Sequence, residues 1–258
     1  MTFRIGLLVA LAFLVKRVSS HGQLVSPRSR NFVASQDGID WGEQPGVPFK
    51  EYCPHCLNLN HGVCGVSPDY DYDLWMDSSG QKMPWKSDSV YSAGDTIIVK
   101  THLSTHHNGH MEIKGCPKGA TSTQECFDDP KNSLIFIKDL KFGMPADPRH
   151  PERGYYAGGQ ASGIADFEME FQLPSDLVGE KVLLQWKYIT ANSCSPPGYK
   201  DYFDGSNSEN QALPADYWNS VIPDCVLPFP NDGSRSAVHP EIFFNCAEGK
   251  GPTRRAIH

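Results

Sequence analysis

The sequence has no apolar run long enough to cross a bilayer. Its longest, Ile5–Val15, is about eleven residues, against the roughly 20 that a spanning helix needs. Positive charge is also short. The chain has 23 Lys and Arg against 30 Asp and Glu, a net charge of −7, which argues against nucleic acid or an anionic membrane as partner. There is no Asn-x-Ser/Thr acceptor, so N-glycosylation is not expected. No His-Glu-x-x-His occurs, which removes the usual signature of a hydrolytic zinc enzyme. Asp and Glu abound, but nothing frames the opposed pair of a glycoside hydrolase. Cys53-Pro54-His55-Cys56 has no second Cys-x-x-Cys to complete a zinc ribbon, and a redox role for it is the minor reading in an oxidising compartment. Internal repeats, low-complexity tracts and helical periodicity are missing as well.

The first twenty residues read as a signal peptide. Arg4 precedes the apolar stretch, and Val18-Ser19-Ser20 supplies modest side chains before a cut. Cleavage there predicts a secreted, extracellular protein without a membrane span, and it makes His21 the first residue. It removes Arg4, Lys16 and Arg17, taking the net charge from −7 to −10. The remaining 238 residues suit one domain, placed at 21–248, followed by a polar tail at 249–258.

Strand signals dominate this domain. Thr96–Leu103 is β-branched, Leu134–Ile137 is a short apolar run, and Asp166–Leu173 alternates with period two. In Val182–Ile189 the residues Val182, Leu184, Trp186 and Tyr188 share one face. Turn-rich stretches separate these runs, which predicts an all-β fold, an antiparallel immunoglobulin/fibronectin type III-like β-sandwich. Ser26–Pro84 and Asn192–His239 read as long loops. Eight cysteines in a secreted chain imply four disulfides. A local Cys116–Cys126 bridge is plausible, and Cys53, Cys56 and Cys64 crowd one loop and pair outward.

An N-terminal histidine offers one metal two nitrogens, the imidazole and the free α-amine. Oxidised copper favours nitrogen donors in a tetragonal plane, and a second imidazole would complete a T of three. His102, His106, His107 and His110 lie within nine positions. On a regular strand neighbours face opposite ways, so His106 and His107 cannot both reach one ion. Asn108-Gly109 reads as a tight turn, which puts His107 at a strand end near the surface.

His21-Gly22-Gln23-Leu24-Val25-Ser26-Pro27-Arg28-Ser29-Arg30-Asn31 resembles the mature start of lytic polysaccharide monooxygenases, and more narrowly of auxiliary activity family fifteen. Six further segments resemble that family's motifs in order. They are Cys64-Gly65, Tyr91-Ser92-Ala93-Gly94-Asp95, His107-Asn108-Gly109-His110, Gln124-Glu125-Cys126-Phe127-Asp128, Leu184-Gln185-Trp186-Lys187-Tyr188 and Glu241–Glu248. The resemblance implies one copper ion per chain in a histidine brace of His21 and His107. It places Phe243 over the copper axis, or Phe244 if the register shifts by one. It also implies oxidative cleavage of a polysaccharide such as chitin or cellulose by a monomer, using hydrogen peroxide or dioxygen and an external electron donor. Two rival readings are a non-catalytic carbohydrate-binding protein and a copper-handling protein.

The chain departs from the family at His110, where Tyr or Phe is usual. That makes His110 a second-sphere proton donor, a spare ligand or a surface residue. The 53–64 loop and the 199–224 insertion also lack a counterpart. Loop aromatics Trp41, Tyr70, Tyr72, Trp75, Tyr199, Tyr202 and Trp218 are the candidates for holding sugar rings.

Overall fold

Alternation in the sequence becomes two faces in the structure. In the computed structural model, which describes residues 21–40, 46–55, 63–65, 75–204, 210–230 and 236–251, Ile97, Val99, Thr101 and Leu103 point inward from a strand that exposes Thr96, Ile98 and Lys100. The described strands, in order, are β1 (His21–Ser26), β2 (Ser89–Val90), β3 (Thr96–Thr105), β4 (His110–Cys116), β5 (Ile135–Asp139), β6 (Arg153–Tyr155), β7 (Ala165–Gln172), β8 (Val182–Ile189) and β9 (Ile242–Lys250). They form two sheets, ordered β1-β3-β7-β5 and β2-β9-β8-β4-β6. Every pairing is antiparallel except the short β2–β9 contact. The fold is the expected β-sandwich, and the four anticipated strands are β3, β5, β7 and β8, within two residues at each end.

The core lies between the sheets. Val182, Leu184, Trp186 and Tyr188 of β8 meet Val99 and Leu103 of β3 and Phe167, Met169 and Phe171 of β7, with Phe243 of β9 beside them. Each fully buried aliphatic or aromatic side chain here contributes about 1.5–3 kcal/mol. First and last strands are tied across the sandwich, because Leu24 N–H donates to Asn245 Oδ1 (2.9 Å).

Both long loops hold more structure than their composition suggests. Ser26–Pro84 contains helix α1 (Arg30–Asp37), whose cap is Ser29, its hydroxyl accepting Phe32 N–H at 3.2 Å. That helix buries Val33 and Ala34 against Trp75. Arg30 reaches Glu248 at 3.0 Å with both side chains almost fully buried, and its guanidinium lies 5.9 Å from the rings of Trp75 and Trp85. After helix α2 (Gln124–Asp128), the second long loop carries helix α3 (Tyr199–Tyr202) and a wide helical turn at Tyr217–Val221. These build a separate aromatic cluster of Tyr155, Tyr199, Tyr202, Phe203 and Trp218.

Three bridges join described cysteines: Cys64–Cys246, Cys116–Cys126 and Cys194–Cys225. The local 116–126 bridge and the outward pairing of Cys64 match expectation. Cys53 is also disulfide-bonded, so it offers no thiolate to a metal, and Cys56 lies outside the described residues. β9 continues to Lys250, past residue 248, and Gly251 N–H donates to Gly179 O (3.0 Å). The signal-peptide segment and residues 252–258 lie outside the described residues. No helix among the described residues is long and apolar enough to cross a membrane.

Candidate metal centre

His21 opens β1, and its backbone pairs with Thr105, the last residue of β3. Gly22 follows because the strand runs tight against the core there: a Cβ would press on Leu103 and Trp186. The register shifts between His21 and Gly22, so the strand start is bent relative to the ladder. His107 lies two residues beyond Thr105. Paired Cα atoms in antiparallel strands are roughly 5 Å apart and two residues of chain reach at most about 7 Å further, so the backbones of His21 and His107 are at most about 12 Å apart.

The chain leaves strand geometry after Thr105 and reverses at Asn108 and Gly109, with φ of 54° and 96°. Gly109 is required, since a Cβ would collide with the carbonyl oxygen of Ile189. The turn holds His107 by its main chain. Its N–H donates to the Tyr188 hydroxyl (3.3 Å), and its carbonyl accepts Ala191 N–H (3.1 Å). The same Tyr188 hydroxyl donates to Asn108 O (2.8 Å), and burial raises its pKa far above the usual phenol value. Phe243 pairs with Tyr188 in the β8–β9 ladder and stacks on it with centroids 5.6 Å apart. Phe244 points to the outer face, toward Ile189 and Ile242. Of the two phenylalanines, only Phe243 shares the face of Tyr188.

The four clustered histidines take separate directions. His102 pairs with Asp166 on the outer face of the first sheet (2.7 Å). His106 is buried, its Nε2 3.1 Å from Tyr156 O and its ring stacked on Phe167. Burial lowers its pKa, keeping it neutral. His107 is half-buried at the loop. His110 has 0% exposure, so it is not a surface residue. It lies on the outer face of the second sheet beneath the 199–224 insertion, with Nδ1 2.7 Å from the Tyr199 hydroxyl and Nε2 3.5 Å from Glu112. Nδ1 is paired with the Tyr199 hydroxyl, while Nε2 faces Glu112 without a hydrogen bond, and burial, helped by Arg153, pushes the ring's pKa down to about 4. Among the described residues no group of three or more His, Cys, Asp and Glu gathers as a metal cluster.

Several expectations change. Trp75, Tyr199, Tyr202 and Trp218 are buried and cannot stack on sugar rings. They fill the small loop cores instead. Trp41, Tyr70 and Tyr72 lie outside the described residues. Glu241 was not singled out by sequence reasoning. It is buried and locked to Thr190, donating N–H to Oγ1 (3.0 Å) and accepting Thr190 N–H (3.1 Å). It lies two positions before Phe243, the residue opposite Tyr188, and after burial its charge adds a little to the rise in the Tyr188 pKa. An acidic residue at the head of an apolar terminal strand was the available signal.

The chain matches, over residues 21–248, the family described as lytic polysaccharide mono-oxygenase, cellulose-degrading. No curated protein sequence matches. Among solved structures, an AA15 lytic polysaccharide monooxygenase from Thermobia domestica in the Cu(I) state superposes with a TM-score of 0.54 and 19% identity, covering 90% of this chain and 99% of its own. AvmM, titled as catalysing macrocyclisation in alchivemycin A biosynthesis, reaches a TM-score of only 0.29 at 8% identity, over 66% of this chain and 87% of its own, and informs nothing further. The family match begins at His21 itself and runs to Glu248 near the end of β9, and the first of these folds agrees along nearly the whole length. The chain therefore belongs to the lytic polysaccharide monooxygenases, copper-dependent enzymes that oxidise polysaccharides.

Proposed function

We propose that this chain is secreted, that cleavage after Ser20 frees the His21 amine, and that the mature monomer cleaves glycosidic bonds in chitin or cellulose oxidatively. One copper ion would be held by the His21 amine, a His21 ring nitrogen and a ring nitrogen of His107. The donor set suits copper: three nitrogens with open positions left over. The observation that carries the reading is the strand register, with His21 opposite Thr105 at the lip of the loop that bears His107.

Copper, when bound, supplies one-electron chemistry toward hydrogen peroxide or dioxygen that no side chain offers, with an external reductant as electron source. The chain's own residues fix the geometry. The amine, with a free pKa of about 8, would have to give up its proton to serve as a donor. Tyr188 and Ala191 hold the His107 backbone from two sides. Phe243, fully buried and stacked on Tyr188, has no donor atom to offer and would supply apolar bulk beneath the two histidines. His110 acts at a distance, by anchoring the insertion through Tyr199.

The test is a copper-dependent assay on chitin and cellulose with a reductant, reading oxidised oligosaccharides by mass. A variant with one extra residue ahead of His21 loses the activity. Activity retained in that variant rejects the brace. Copper binding without oxidised products would favour a copper-handling role, and copper-independent adsorption alone would favour a binding protein.

A further inference from the structure

We infer that a small apolar molecule bearing one hydrogen-bond-accepting oxygen binds in a cavity between helix α1 and the loops at residues 46–48 and 75–86. The cavity measures about 190 Å³, and its walls are Val33, Val47, Pro48, Trp75, Met83 and Pro84. Asp37 and Lys86 complete the lining; both are exposed and mark the mouth. Backbone bonds tie the walls together. Met83 N–H donates to Trp75 O (2.8 Å), Ser78 N–H to Val47 O (2.9 Å) and Ile39 N–H to Pro48 O (3.0 Å), so the space is preformed, as ligand sites usually are. It stands apart from the metal end. Lys86 N–H donates to Glu248 Oε2 (2.7 Å). Glu248 lies six residues along β9 from Ile242, about 20 Å, and it is Ile242 that pairs with Ile189 beside the Asn108-Gly109 turn.

What the cavity lacks is an acceptor. Trp75 is 4% exposed, and its indole Nε1–H has no hydrogen-bond partner among the described residues. A buried donor left alone costs about 1–3 kcal/mol. The backbone of Trp75 is also held at φ 31°, a region that side chains disfavour. An internal water is a poor remedy, because it needs roughly two to four polar partners and the other walls offer carbon. A carbonyl or ether oxygen on an apolar body meets both demands, with oxygen on the N–H and carbon against carbon. The size also fits. An apolar cavity of about 150 Å³ takes benzene, so this one has room for a single ring with a short oxygen-bearing substituent.

The experiment titrates the mature protein with acetophenone, and with ethylbenzene as the probe that keeps the shape and loses the acceptor. Ligand-observed NMR gives Kd for each. The readout needs neither copper nor turnover, so it is independent of the proposed reaction. Acetophenone saturates one site and binds roughly two- to twelvefold tighter than ethylbenzene, the worth of one net hydrogen bond. Trp75→Phe removes the N–H and keeps an aromatic wall, so the two probes become equal. Val47→Phe, at a half-buried loop position, fills the space and weakens both probes by about tenfold or more. If the Trp75 variant does not fold, the Val47 result decides alone. Absence of saturable acetophenone binding overturns the proposal. So does a preference for acetophenone that survives Trp75→Phe, or an affinity unaltered by Val47→Phe.

Discussion

Replacing Tyr188 with Phe removes one oxygen and leaves the ring. The ring keeps its stack on Phe243 (5.6 Å) and its edge contact with Tyr156 (5.0 Å), so no carbon cavity opens. What goes is the hydroxyl that accepts from His107 N–H (3.3 Å) and donates to Asn108 O (2.8 Å). The first of these is long and weak. The second is short, and its carbonyl belongs to a residue held at φ 54°. Leaving a buried group without its partner costs about 1–3 kcal/mol. At roughly 2–4 °C per kcal/mol for a chain of this size, the melting temperature falls by about 2–12 °C. His107 loses a main-chain tether, so copper affinity falls along with stability. Denaturant unfolding of the apo-protein gives the first quantity and calorimetric copper titration the second. A stability change under about 0.5 kcal/mol, or full stability loss with unaltered copper affinity, would refute the view that this hydroxyl couples the core to the metal loop.

Other consequences are open to measurement. Cys64–Cys246 closes a span of 182 residues and Cys116–Cys126 one of 10. Loop-closure entropy then makes loss of the first cost about 5 kcal/mol and of the second about 3, and equal Tm losses for the two paired Cys→Ala variants would contradict that ranking. The His110 pKa is lowered from 6.5 to about 4 by burial first and Arg153 second. Between those values the unfolded chain takes up a proton that the native state refuses, so stability is full above pH 6.5 and falls by roughly 3 kcal/mol as the pH drops to 4. His110→Gln flattens that part of the profile in pH-dependent denaturation, and an unchanged slope would assign the loss to other groups.

The sequence revealed strands wherever one face meets the core and the other meets water. β3 and β7 alternate because each has such a pair of faces. β9 does not alternate: eight of its nine residues are buried, since the long loops cover its outer side. Periodicity could not mark it, and only the Glu241–Glu248 motif drew attention there. At the candidate metal centre, the Asn108-Gly109 pair correctly signalled a reversal that leaves His107 in a loop. Nothing local could show that Tyr188 props that loop, because the contact joins residues 80 positions apart. The loop aromatics misled for a physical reason. A long insertion must bury apolar surface to stay ordered, and Tyr199, Tyr202 and Trp218 do so against Tyr155, contributed by β6, a three-residue strand that composition does not mark.

The bond from Leu24 N–H to Asn245 Oδ1 ties the opening strand to the closing one. The two residues are 221 positions apart, so β1 is fully seated only once β9 has been made and folded against it. A chain cut short before β9 therefore lacks the acceptor that fixes the start of the first strand.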